Sequence, residues 1–185
     1  MATQQKNRIH PHKFTLYVAI ASILMMFAGL TSAFIVKSSQ PGWVTIEMPP
    51  AFWYSTVAIL LSSLTIQMAL RAFKQRNMMQ YRALMLTTLG LGIAFVILQY
   101  IGFSWLWEHG VQWKGAGEGQ FLYIIAGLHG LHVMGGIVAL LVMMLQAFFA
   151  RTRNYNSVPV EVMSTYWHFV DILWIYLLVF FIYIG

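Results

Sequence analysis

Five long apolar runs dominate this chain of 185 residues. They cover residues 14–36, 51–73, 83–107, 121–148 and 163–184. Each run is long enough for a helix to cross a hydrocarbon core about 30 Å thick. In lipid, a spanning segment must satisfy its own backbone hydrogen bonds, and a helix does so. The sequence therefore predicts an all-α integral membrane bundle of five transmembrane helices.

The composition leaves little chain for a soluble domain. Hydrophobic residues make up 59% of the sequence and charged residues 9%, whereas soluble domains carry about 25% charged residues. We expect a tail at residues 1–13 and a single membrane domain over residues 14–185. The absence of cysteine excludes disulfides, thiolate zinc sites, iron–sulfur clusters, covalently attached haem and thiolate-bridged copper.

Basic residues are distributed unevenly between the two sides of the predicted bundle. Nine of the eleven Lys and Arg fall on the N-terminal tail and the second and fourth loops, against two (Lys37 and Lys114) on the other side. The positive-inside rule then predicts a cytoplasmic N-terminus and an outside C-terminus. Because these charges flank apolar runs, the net charge of +6 does not indicate nucleic-acid binding. Tryptophans are expected at the outer interface: Trp43, Trp53, Trp105, Trp107 and Trp113.

The last run carries polar residues inside the predicted membrane span. On a helix, Ser164, His168 and Asp171 fall within about 60° of one another, with Glu161 at the edge of the same face. An unpaired charge at such a depth costs about 3 kcal/mol or more. We expect Asp171 to pair with His168 or with a partner's cation. A protonatable relay is the alternative, because intramembrane carboxyl groups often have that role.

The fourth run carries two histidines and several glycines. His129 and His132 are three residues apart and share a helix face, and Gly130, Gly135 and Gly136 are predicted helix-packing positions. Helix rise puts His132 about 22 Å from the inner end of its span and His168 about 7 Å from the same surface, so about 15 Å separates them. That gap disfavours a shared metal or haem. Hydrogen bonds across helices or to lipid headgroups are predicted instead, with metal binding and proton handling as alternatives.

Two motifs give this chain a family resemblance. The stretch Tyr166–Asp171 (Tyr-Trp-His-Phe-Val-Asp), followed by Ile-Leu-Trp, resembles the final-helix signature of subunit III of the haem–copper cytochrome oxidases. The stretch Gly127–Val133 (Gly-Leu-His-Gly-Leu-His-Val) resembles that family's preceding signature. Weaker similarities occur at residues 27–30, 32–37 and 61–64. The chain is similar to the bacterial five-helix form of the subunit.

The resemblance implies an accessory, non-catalytic subunit of a proton-pumping aerobic terminal oxidase of the cytochrome c oxidase type. Such a subunit has no metal of its own, because haem and copper belong to subunits I and II. It stabilises subunit I, binds phospholipid and supports proton uptake in a bacterial inner membrane. Its partners are subunit I directly, then subunit II, small subunits and a larger respiratory supercomplex. The positions that match the family pattern form a polar seam toward lipid or partners: His129, His132, Trp167, His168 and Asp171.

Two departures and three alternatives accompany the resemblance. Seven-helix members carry glutamates near the positions of Ile23 and Gly102, which are apolar here, so the roles of those carboxylates do not transfer. An accessory subunit of a quinol oxidase or of a nitric oxide reductase would share the motifs. An independent transporter or proton channel using the two histidine-bearing helices is the alternative from another class.

Overall fold

A computed structural model of the chain describes residues 11–39, 48–111, 118–149 and 157–184. Within these ranges the chain forms five α-helices, each long and apolar enough to cross a membrane. They are α1 (Pro11–Ser38), α2 (Ala51–Lys74), α3 (Met78–Glu108), α4 (Glu118–Phe149) and α5 (Val158–Ile184). The predicted all-α bundle of five membrane-spanning helices is confirmed.

The helices extend beyond the apolar runs that predicted them. Helix α1 begins at Pro11 and α5 at Val158, three and five residues before the runs at 14 and 163. Pro11 and Pro159 suit a first helical turn, where a missing N–H leaves no bond unmade. Hydropathy marks only the part of a helix in hydrocarbon, so polar residues that continue it outward escape a prediction from apolar runs. Residues 1–10 of the predicted tail lie outside the described ranges.

Helix α5 lies at the centre of the bundle. It packs against α1, α2 and α4, while α1 contacts α4, α4 contacts α3, and α3 contacts α2. The other four helices therefore form an arc around α5, and within the described chain α1 and α2 do not contact each other. The two largest fully buried side chains, Trp167 and Trp174, both belong to α5. The central position of α5 brings it into contact with all four other helices, through Tyr176 with α1 and through Trp167 with α2, α3 and α4.

Helices α2 and α3 form an antiparallel hairpin with the most extensive helix contact in the fold. The turn places Arg76 at a φ of 60°, and the side chain of Asn77 caps α3 by accepting from the Gln80 N–H at 3.3 Å,. Hydroxyl and amide groups join the two helices in the membrane-spanning part. Thr65 and Thr88 Oγ1 lie 2.8 Å apart, and Gln99 Nε2 donates to Ser55 Oγ at 2.8 Å.

One of the three predicted packing glycines supports close contact with α5. A Cβ atom at Gly136 would lie 2.9 Å from the Trp167 ring, and one at Gly92 on α3 would lie 3.0 Å from other atoms of the same ring. At Gly130 and Gly135, a Cβ atom would have no described atom within 4 Å. Gly130 and Gly135 lie about 120° and 100° around the helix from Gly136, so they face away from α5 and their role as packing positions stays a prediction.

The two ends of the bundle differ in chemistry. Trp53, Trp105 and Trp107 all lie at the end where α2 starts and α3 finishes. At the opposite end, Arg82 Nε donates to the Ala147 carbonyl oxygen at 2.9 Å and its guanidinium lies over the Phe148 ring. Trp43 and Trp113, which were predicted to share the outer interface, lie outside the described residues. We call the end with Arg82 the basic end.

Candidate functional site

Two buried tryptophans of α5 are hydrogen-bonded to hydroxyl groups of α2. Trp174 Nε1 donates to Thr56 Oγ1 at 3.0 Å, and Trp167 Nε1 donates to Ser62 Oγ at 2.9 Å. Indole N–H groups need a partner when they are buried, and lipid supplies none. These bonds set the antiparallel register of α5 on α2.

His168 continues this interface toward the basic end. Its Nδ1 atom lies 2.5 Å from Ser63 Oγ, and its Nε2 atom lies 3.3 Å from Gln67 Oε1. Ser164 Oγ, one turn earlier on α5, also donates to Gln67 Oε1 at a long 3.5 Å. The imidazole therefore has a partner at each nitrogen. We call the set Thr56, Ser62, Ser63, Gln67, Ser164, Trp167, His168 and Trp174 the polar ladder.

Asp171 is buried beside this ladder, with 2% of its surface exposed. Neither carboxyl oxygen has a hydrogen-bond partner within the described chain. His168 is bonded to Ser63 and Gln67 and not to Asp171, so the pairing of Asp171 with a partner's cation stays a prediction. Helical side chains lean toward the N-terminus, so His168 reaches toward Gln67 and away from Asp171.

Glu161 joins three helices at the basic end. Its Oε2 atom lies 2.6 Å from Lys13 Nζ on α1, and its Oε1 atom lies 3.0 Å from Lys74 Nζ on α2. Ser157 Oγ also donates to Oε1, at 3.2 Å. The carboxylate at the edge of the predicted polar face is thus held by two cations and a hydroxyl group.

A cavity of about 220 Å³ opens between α1, α2 and α5, beside the Glu161 ion pairs. It lies on the side where α1 and α2 do not touch, so α5 forms its floor. Its polar lining residues are Lys13, Tyr17, Gln67, Glu161, Ser164, Thr165 and His168. We call this cavity the inner pocket. His168 therefore lines a polar opening at the basic end of the bundle.

His129 has a different environment on the other side of α5. Its ring is 1% exposed, stacks on Trp174 at 5.4 Å between centroids, and meets the edges of Phe27 and Phe95 at 6.5 and 6.2 Å. Neither ring nitrogen has a hydrogen-bond partner among the described residues. The predicted hydrogen bond from His129 to another helix is therefore absent among the described residues. Aromatic rings surround the imidazole instead, and we call them an aromatic box.

His132 bonds within its own helix. Its Nδ1 atom lies 2.7 Å from the Leu128 carbonyl oxygen, and its ring lies 5.9 Å from that of Phe27. The link from His132 to α5 is made by its backbone, because the carbonyl oxygen accepts from Tyr166 Oη at 3.0 Å. The structure thus places the two predicted histidines against Phe27 without joining their side chains to His168 or Asp171.

The register of α4 on α5 overturns the depth estimate. His129 stacks on Trp174 and Gly136 lies against Trp167, so His132 is level with Asp171. His168 is then offset from His132 by about three residues, or roughly 5 Å along the axis. The predicted separation of about 15 Å is wrong. It assumed that the apolar runs of α4 and α5 end at one depth, whereas the run in α4 is longer than a bilayer requires.

The geometry of the described residues offers no ready metal centre. No group of three or more His, Cys, Asp or Glu side chains in the described ranges is placed to hold a metal ion. The offset between His132 and His168 along the helix axis is too small to exclude a shared metal ion. The orientation of the histidine rings is the evidence against one. His129 faces aromatic rings, and the nitrogens of His168 face Ser63 and Gln67.

The α2 residues of the polar ladder could be predicted only in part from the sequence. In lipid, hydroxyl and amide side chains either bond the backbone of their own helix or cross to a neighbouring helix. Both occur, since Ser62 Oγ donates to the Ile59 carbonyl oxygen at 2.8 Å and also accepts from Trp167. The spacing of Thr56, Ser63, Gln67 and Lys74 by seven, four and seven residues was the available signal, because such positions share one helix face.

Comparison with known proteins places the chain in a family. A family model described as cytochrome c oxidase subunit III matches residues 11–185. The chain is 30% identical over 165 residues to the probable cytochrome c oxidase subunit 3 of Mycobacterium leprae (strain TN), covering 85% of this chain and 80% of that protein. It is 28% identical over 166 residues to the cytochrome c oxidase subunit 3 of Corynebacterium diphtheriae, with 85% and 80% covered.

A second kind of oxidase occurs among the relatives. The chain is 29% identical over 171 residues to the probable quinol oxidase subunit 3 of Staphylococcus aureus (strain USA300), covering 90% of this chain and 85% of that protein. The resemblance predicted from the two late motifs is confirmed, and with it a multi-pass membrane protein. The chain belongs to the cytochrome c oxidase subunit III family.

Proposed function

We propose that this chain is the accessory, non-catalytic subunit III of a proton-pumping aerobic terminal oxidase of the cytochrome c oxidase type. The family match over residues 11–185 carries the proposal. The polar ladder supports a structural role, because its groups bond one another across helices. Haem and copper are then held by partner subunits, and this chain acts by assembly and by its effect on a neighbour.

The proposed partners are subunit I in direct contact, with subunit II and small subunits in the same complex. A respiratory supercomplex is the larger assembly in which such an oxidase would sit. Gly130 and Gly135 support a helix contact outside this chain, because a Cβ atom at either would meet open space and small residues let helices approach closely. The polar ladder would hold α5 rigid while such a contact forms.

Bound phospholipid is the second part of the proposal. The inner pocket opens sideways between α1 and α2 at the basic end, with Lys13 and Lys74 beside it. A lysine near the membrane surface attracts anionic headgroups with about 1 kcal/mol. Acyl chains would then cover the part of α5 that α1 and α2 leave open.

The proposed location is the bacterial plasma membrane, with residues 1–13 in the cytoplasm and residues 14–185 as the membrane domain. The concentration of basic side chains at one end supports this orientation, since Lys13, Lys74 and Arg82 all make contacts there. The relatives are bacterial proteins, which supports a bacterial plasma membrane as the location. The C-terminus would then lie outside.

Affinity purification of the tagged full chain from its native membrane tests the function. We expect haem-bearing and copper-bearing subunits to copurify, and the visible spectrum of the sample to follow the haem-bearing subunit when the subunits are separated. A tagged unrelated membrane protein from the same cells is the control. Stoichiometric haem bound to this chain after separation would overturn the proposal, as would purification without any haem-bearing subunit.

The electron donor separates two forms of this function. The Staphylococcus aureus relative, named a probable quinol oxidase subunit 3, favours a quinol oxidase as the second candidate. The purified complex should oxidise reduced cytochrome c under the first form and a quinol under the second. Oxygen consumption with each donor, in the same preparation, decides between them.

A further inference from the structure

The inner pocket continues below the ion pairs of Glu161 into the membrane-spanning part of the bundle. Gln67 lies seven residues before Lys74 on α2, and His168 lies seven residues after Glu161 on α5. Both are therefore about 10 Å deeper than the charged groups. We propose that this deeper part of the inner pocket binds the ring of a quinone, which is a neutral head with carbonyl oxygens on an apolar tail. Binding of a quinone to this chain goes beyond the proposed function.

The polar ladder leaves the amide group of Gln67 with a free donor. His168 Nε2 lies 3.3 Å from Gln67 Oε1, and Ser164 Oγ donates to the same oxygen at 3.5 Å. Ser63 Oγ lies 2.5 Å from His168 Nδ1, and a neutral imidazole that accepts at Nδ1 donates from Nε2. The amide oxygen of Gln67 is thus occupied from α5. Its NH₂ group has no hydrogen-bond partner among the described residues, and it remains available to a ligand at the pocket wall.

Two further donors line the pocket from α1. The hydroxyl group of Tyr17 makes no hydrogen bond within the described chain. Lys13 Nζ donates to Glu161 Oε2 at 2.6 Å, which uses one of its three N–H groups. Unused donors therefore line the pocket from both α1 and α2. They suit a ligand that accepts hydrogen bonds, and carbonyl oxygens accept without bringing a charge to membrane depth.

The walls of the pocket suit a flat ring, and its opening suits an apolar tail. Leu16, Leu70 and Val162 supply apolar surface, and Tyr17 supplies an aromatic ring against which another ring can stack. The volume of about 220 Å³ is below the roughly 300–1,000 Å³ of sites for drug-sized ligands, so the pocket admits one head group. Because α1 and α2 do not contact each other in the described ranges, a tail can leave sideways into lipid.

A phospholipid matches the deeper part of the pocket less well. Its phosphate is charged and would stay level with Lys13 and Lys74, because moving a charge deeper into the membrane is costly. Acyl chains would reach further in, but they cannot bond the amide of Gln67. The ester carbonyls of a phospholipid are the competing neutral acceptors, and a comparison of ester-linked with ether-linked lipid separates them from a quinone.

Photolabelling of the full chain in lipid nanodiscs tests the site. A short-tailed azidoquinone is activated by light, and mass spectrometry locates the modified residues. We expect labels around Gln67 and within residues 162–168, and their loss when an excess of the azide-free quinone is added. Labelling should be equal in nanodiscs of ester-linked and ether-linked phosphatidylcholine. Labelling in the ether-linked nanodiscs alone would show that ester carbonyls fill the site, and it would overturn the proposal.

Two variants test the recognition of the ring. Gln67→Leu removes the donor amide at similar side-chain size, and half-maximal labelling should need about tenfold more quinone. Thr165→Trp adds bulk at an exposed position of the pocket lining, so it should block labelling without disturbing the core. The matched control is Gln80→Leu at an exposed position of α3, which should label as the wild type does.

Two results would contradict the quinone site. One is the same half-maximal concentration in wild type and Gln67→Leu, and the other is label spread evenly over the lipid-facing segments. Circular dichroism of each variant establishes that the helices are intact. Such a failure would leave copurification with a haem-bearing subunit unaffected, so the quinone site and the proposed function fail separately.

Discussion

The two sides of α5 bury histidine in opposite ways. On the α2 side, His168 has a hydrogen-bonding group at each nitrogen and neighbours a polar pocket. On the α4 side, His129 stacks on Trp174 between Phe27 and Phe95, and its nitrogens are without partners in the described chain. The same side chain thus contributes hydrogen bonds to one interface and ring contacts to the other. The contrast teaches that the residues of the neighbouring helices decide which contacts a buried histidine makes.

Trp167 joins both sides, so its removal should have the largest effect. Trp167→Ala deletes a fully buried indole that contacts Gly92 and Gly136 and bonds Ser62. Loss of a buried aromatic side chain costs about 3–5 kcal/mol. Reversible unfolding of the full chain in mixed micelles, followed by circular dichroism, measures the change. The control is Trp53→Ala, whose side chain is 58% exposed; a similar loss in both variants would contradict a central role for Trp167.

A pair of glycine variants tests the α4 side by overpacking. Gly136→Val should destabilise the bundle by about 1–3 kcal/mol, because the Trp167 ring would lie 2.9 Å from the first added carbon. Gly135→Val adds the same side chain one position away, where no described atom lies within 4 Å. Measured in the isolated chain by the same unfolding assay, equal effects would show that Trp167 does not sit against Gly136.

Replacing each histidine with phenylalanine separates the two sides directly. His168→Phe should lower the free energy of unfolding by about 1–2 kcal/mol, because Ser63 and Gln67 lose their partner. His129→Phe should be neutral or stabilising, since it removes unpaired buried nitrogens from an aromatic box. Thermal denaturation of both variants in one detergent makes the comparison. The opposite order would mean that His129 has a partner we have not identified.

The smallest effect is expected at the ion pairs of the basic end. Glu161→Gln should lower the melting temperature only slightly, because Lys13 and Lys74 are partly exposed and such pairs contribute little. The cost should shrink as salt is raised, since salt screens exposed charges. Melting temperatures of wild type and Glu161→Gln at low and high salt give the test. A salt-independent loss would indicate a bridging role for Glu161 beyond its charge.

Much of the fold could be read from hydropathy, because crossing a bilayer requires long apolar helices whatever their partners. The number of helices followed from the five runs, and the family followed from two short motifs. The depth of a residue in the membrane could not be predicted from hydropathy in the same way. The apolar run of α4 exceeds the bilayer thickness, so its ends do not mark the same plane as those of α5, and the inferred distance between His132 and His168 was too large.

By itself, the sequence determined the helical class, the five spans and the residue types placed within the membrane. The tertiary structure decided which helix each polar side chain faces. Thr56, Ser62, Ser63 and Gln67 meet α5 only because α2 packs beside it in one register, and Gly136 is close-packed whereas Gly135 is not. The physical reason is that periodicity places residues on a helix face, while helix packing alone selects the neighbour of that face.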